Sequence, residues 1–112
     1  MSLMGILYYG SARIAIELDD RMLAHLQAVF LMKLRRHESF PLSWRDDQEV
    51  GDGRSTVWVT PSTDLHFKYA GGRVAQTDKD LLERLAVAAG STHGIDLDED
   101  ASLAEAPHQG RG

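Results

Sequence analysis

The chain has 112 residues, 43% hydrophobic and 26% charged, with no cysteine and a formal net charge of −5. That length suits one globular core rather than two, and the lack of cysteine excludes disulfides, thiolate zinc sites and cysteine nucleophiles. Residues 96–112 hold five carboxylates against Arg111, a net −4, so the remaining 95 residues sum to −1. A broad basic field for nucleic acid is thereby excluded, and any such binding needs a local patch.

Met1, Ser2 and Leu3 precede a second methionine, Met4, and read as a vector-derived scar set apart from the fold. Residues 5–9 and 13–17 are short β-prone runs around Gly10-Ser11, the turn chemistry of a hairpin. Asp19 or Asp20 can cap the helix that follows, where Leu23, Leu26, Phe30 and Leu34 recur at three- and four-residue spacing. Apolar residues nearly all round it from Met22 to Leu34 predict a central, buried helix, and Lys33, Arg35 and Arg36 suit its negative C-terminal end.

Three strands are predicted over residues 39–45, 54–60 and 65–69, separated by a Gly-Asp-Gly loop and a Pro61-Ser62-Thr63-Asp64 turn. They suggest an antiparallel meander. Period two turns Phe40, Leu42, Trp44, Val57, Val59, Leu65, Phe67 and Tyr69 inward. It leaves Ser43, Arg45, Thr56, Trp58, Thr60, His66 and Lys68 on the outer face. After Gly71-Gly72, Thr77 or Asp78 can cap a second helix with the stripe Leu81, Leu82, Leu85, Ala88 and Ala89, ended by Gly90. Residues 93–112 are acidic, lack a sustained period and read as a flexible tail.

The expected fold is therefore a single two-layer α+β domain over residues 4–92, of order ββαβββα, with an antiparallel sheet packed on a buried helix. No apolar run approaches the roughly 20 residues of a membrane span, so the expectation is a cytoplasmic protein without membrane contact.

Lys68-Tyr69-Ala70-Gly71-Gly72-Arg73 is similar to the Lys-x-Asp-Gly-x-Arg motif of ATP-dependent DNA ligases. In those enzymes the lysine amine attacks the α-phosphate of ATP. The resemblance implies Lys68 as nucleophile and Arg73 as a ribose or phosphate contact. Ala70 stands where the family has Asp, and the chain is too short for a ligase core of about two domains. More widely, the run from Met4 to Gly90, and especially Leu7-Tyr8-Tyr9-Gly10, Ala24-His25-Leu26-Gln27, Lys33-Leu34-Arg35-Arg36, Glu38-Ser39-Phe40, Leu42-Ser43-Trp44 and Gly53-Arg54-Ser55, resembles a family of short bacterial proteins often labelled "ATP-dependent DNA ligase". That resemblance supports one compact domain and conveys no catalytic residue.

Other motifs read as structure. His25 has no helical histidine partner at metal-ligand spacing and reads as a satisfied histidine. Asp96, Asp98 and Asp100 match the start of a calcium loop, but Ala101 stands at the turn glycine and Pro107 at the bidentate glutamate. No catalytic residue, cofactor or metal is expected. Two binding readings compete. In the first, a non-catalytic module forms a homo-oligomer, a dimer, or holds a protein partner through the outer face at Trp58, Thr56, Thr60 and Arg45. In the second, Arg35, Arg36, Arg45, Trp58, His66, Lys68 and Arg73 gather into a nucleic-acid surface.

Overall fold

A computed structural model describes residues 3–45, 53–73 and 76–98. Its order is β1 (Met4–Tyr9), β2 (Ile14–Asp19), α1 (Asp20–Arg35), β3 (Phe40–Arg45), β4 (Arg54–Val59), β5 (Leu65–Lys68), α2 (Lys79–Ala89) and β6 (Ile95–Asp96). The protein is a small α+β domain in which ββαβββα is followed by one short strand.

The strands divide between two sheets of order β2-β1-β5 and β4-β3-β6. The meander therefore stops at β4. Pro61 has no N–H with which to continue the ladder, and the Thr60–Thr63 turn closes behind it with Thr63 N–H donating to Thr60 O at 3.0 Å. β5 then pairs antiparallel with β1, Leu7 facing Phe67 and Tyr8 facing His66. The Gly10 amide fastens this junction by donating to Asp64 O at 2.8 Å.

Helix α1 starts where its cap predicts, with the Asp19 carboxylate accepting from the Met22 amide at 2.6 Å. It ends in a Schellman motif: Glu38 N–H reaches Lys33 O and His37 N–H reaches Leu34 O, with His37 at φ 60° in the position glycine usually takes. Met22, Leu23, Leu26, Val29 and Phe30 are buried, whereas Leu31 and Met32 remain exposed. Phe30 joins the two sheets. Its ring meets Phe40 of one sheet at 5.0 Å and Phe67 of the other at 5.6 Å, both edge-on.

The sequence reading ended the domain at residue 92, but Ile95 and Leu97 are buried in the core. Ile95 pairs with Leu42 in a parallel bridge to β3. Gly94 makes the approach possible: its φ is +72°, and a Cβ there would sit 2.1 Å from Pro41 O. Leu3, read as outside the fold, gives its carbonyl to the Asp20 amide at 2.8 Å.

Two polar ties brace the core. His25 is fully buried. Its Nε2 accepts from the Asp78 amide at 2.8 Å, so Nδ1 carries the proton and donates to Arg21 O at 2.6 Å. Asp78 is the N-cap of α2, so this ring holds the second helix against the first. In the other tie, Asp20 accepts from the consecutive amides of Ala70 and Gly71 at 3.0 and 2.8 Å. Tyr69 beside them donates to Gln27 Oε1 at 2.6 Å. Burial, then the Asp20 charge, raise the Tyr69 hydroxyl above its ordinary pKa of 10.0.

Two outcomes follow for stability. Replacing His25 with Ala costs about 2–4 kcal/mol in denaturant unfolding, because it opens a cavity and orphans the Asp78 amide. Because the folded state favours the neutral phenol of Tyr69, that contribution is whole below pH about 10 and is lost as pH rises through the raised value. Tyr69→Phe therefore costs about 1 kcal/mol at neutral pH and flattens the alkaline loss of stability in a series of denaturation curves.

Candidate functional site

The residues expected to share one outer face lie on two sheets. On β4-β3-β6, register places Trp58 beside Pro41, Thr56 beside Ser43 and Arg54 beside Arg45, on the face opposite Leu42 and Val57, although Ser43 itself is buried. Ser43 and Thr56 hydroxyls meet at 2.9 Å, and Arg54 binds Asp96 at 2.6 Å and Asp98 at 3.7 Å. Two carboxylates of the calcium-like spacing thus engage an arginine. Trp58 is 56% exposed on a strand that pairs with β3 alone among the described residues.

Below Trp58 lies a depression of about 500 Å³, lined by Lys33, Glu38, Pro41 and the turn after α2. The Lys33 ammonium pairs with Glu38 at 3.2 Å. The Trp58 carbonyl is also tied to the other sheet by the Tyr9 hydroxyl, which donates to it at 2.5 Å. Thr60 belongs less to this face than to the turn, where its amide donates to Thr63 Oγ1 at 2.9 Å.

His66 and Lys68 follow β5 to the outer face of β2-β1-β5, exposed. This separation corrects the single basic patch, and its cause is the switch of β5 from β4 to β1. Arg35 and Arg36 are exposed at the end of α1, and Arg73 is exposed beyond β5.

Around His66 the structure assembles two residues that sequence reasoning did not single out. The Arg13 guanidinium lies 4.1 Å over the Tyr8 ring and its Nη2 donates to His66 Nδ1 at 3.2 Å. The Tyr8 and His66 rings are 5.4 Å apart. A depression of about 390 Å³ beside them is lined by Ser11, Arg13, Asp64 and His66. Arg13 holds a left-handed backbone, φ 54°, at the end of the hairpin turn. The available signal was a bulky cation in a turn position that favours glycine.

In the ligase-like string, Lys68 is exposed on the outer face, Tyr69 points to Gln27, and Ala70 and Gly71 supply the amides that Asp20 holds. Among the described residues no group of three or more His, Cys, Asp or Glu side chains is placed to hold a metal. No helix there is long and apolar enough to cross a membrane.

A small α+β domain with two sheets, each offering polar and aromatic groups on its outer face, is what the geometry defines. The chain belongs to the family described as a domain of unknown function, DUF7882, whose model matches residues 4–100. No curated protein and no solved structure matches it.

The turn geometry has a measurable consequence. Arg13→Ala and Arg13→Gly lose the same contacts to Tyr8 and His66 and differ only in the backbone, so thermal or denaturant unfolding should find the glycine variant more stable by about 1 kcal/mol.

Proposed function

We propose that this domain is a non-catalytic interaction module that self-associates or holds a protein partner through the outer face of β4-β3-β6. The observation that carries this reading is the exposed Trp58 ring. It stands beside Pro41 and two residues along β4 from exposed Thr56, with ion-paired Arg54 at the margin. An aromatic anchor within a ring of polar groups is the usual composition of a contact whose centre dominates binding. The strand ladder beneath is continuous from Phe40–Val59 to Arg45–Arg54, so the face is rigid and little ordering is needed on contact.

A second reading, an accessory domain that binds nucleic acid, is supported by the Tyr8, Arg13 and His66 stack with Lys68 on the same face. Stacked aromatic and guanidinium groups suit unpaired bases. The net charge opposes it, and Arg35, Arg36, Arg45 and Arg73 lie outside this group.

Sedimentation velocity over a concentration series tests the first reading. The expected result is a dimer that Trp58→Ser converts to monomer while the circular dichroism spectrum and Tm stay unchanged. A monomer in both forms removes self-association. A species that gains mass only with an oligonucleotide at low salt replaces it with the second reading.

A further inference from the structure

We infer that the depression beside Tyr8, Arg13 and His66 binds the phosphosugar unit of a nucleotide. This site lies on the other sheet from Trp58 and needs no self-association. It narrows the second reading to one ligand chemistry.

The first argument is the state of Arg13. Among the described residues no carboxylate lies within ion-pair distance of its guanidinium. The group is nonetheless held in place, by the Tyr8 ring below it at 4.1 Å and by His66 at 3.2 Å. A guanidinium whose central carbon sits over a ring face still has N–H groups at its edge, which can grip an oxyanion with two parallel bonds. Much of the entropy cost of ordering a long side chain is already met before ligand arrives.

The second argument is the histidine tautomer. Arginine can only donate, so His66 Nδ1 accepts and the neutral ring carries its proton on Nε2. Nε2 is then a donor, and His66 is exposed. Ser11 adds a hydroxyl to the same depression, and Lys68 stands two residues along β5 on the same face. Donors on several sides suit a tetrahedral oxyanion better than a planar carboxylate, which one arginine fork can satisfy.

The third argument is Asp64, which lines the depression opposite in sign to Arg13. A bare anion meets repulsion from it. A phosphate ester that also carries hydroxyl groups offers Asp64 a donor while Arg13 and His66 take the phosphate oxygens. A sugar phosphate has that pattern, and the open face of the guanidinium offers a plane on which a base can stack.

The backbone agrees with this assignment. Arg13 occupies a left-handed conformation that glycine would adopt at less cost. The side chain is the one thing glycine could not supply.

The test is a titration of the full chain, followed by amide and imidazole NMR shifts, with uridine 5′-monophosphate, uridine, inorganic phosphate and acetate at matched ionic strength. The expected result is a saturable shift of Ser11, Arg13 and His66 with the monophosphate, at least tenfold weaker with inorganic phosphate or acetate. Arg13→Ala and Arg13→Lys should each weaken it at least tenfold, and Trp58→Ser should leave it unchanged. Acetate or inorganic phosphate binding as well as the monophosphate, no saturable shift, or equal affinity in Arg13→Ala would overturn the inference. Failure of a single-stranded oligonucleotide to bind while the monophosphate binds refutes the nucleic-acid reading and leaves the nucleotide site standing.

Discussion

The tie between Asp20 and the amides of Ala70 and Gly71 decides where β5 lies, and much of the surface depends on that. Asp20 opens α1, so its carboxylate anchors the exit of β5 to the start of the central helix. Gly5 completes the joint, since a Cβ there would come within 2.6 Å of Lys68 O and 2.7 Å of Asp20 Oδ1. At the far end, Gly10 grips Asp64. With both ends held, β5 has one register on β1, and that register alone sets His66 beside Tyr8.

The same economy operates on α2. Its cap amide at Asp78 is bonded to a buried imidazole of α1, and Arg21 reaches the Asp78 carboxylate at 3.5 Å. The exposed pair contributes little by itself. The hydrogen bond to the imidazole fixes the spacing of the helices, because the buried His25 ring could not find water instead.

Local structure was legible in the sequence to within a residue or two. The caps, each narrowed to two neighbouring residues of which the structure uses Asp19 and Asp78, the end at Gly90 and the period-two faces of β3 and β4 all rest on short-range rules that one segment satisfies alone. Which strands become neighbours did not follow from those rules. β5 has the same alternation whether it pairs with β4 or β1, and the Pro61 break together with the Asp20 and Gly10 contacts favours β1. β6 was missed because two residues make no period, although Gly94 before Ile95 and Leu97 marked a close approach. Trp58 and Lys68 were correctly read as outward-facing, but Arg13 and Tyr8 gain meaning only through a partner far away in sequence.

The parallel bridge of β6 to β3 bears on how the chain matures. Every other strand pair involves chain completed by Lys68, while Ile95 must return to Leu42 after α2 has formed. Leu42 and Ile95 are no farther apart in sequence than Leu7 and Phe67 of β1 and β5, but β6 is the last of these strands to be synthesised. On the ribosome, β3 would therefore wait with one edge and part of its core face uncovered until the last element emerges. A chain stopped short of Leu97 would present that edge to other chains, so synthesis itself has an interval in which aggregation competes with folding.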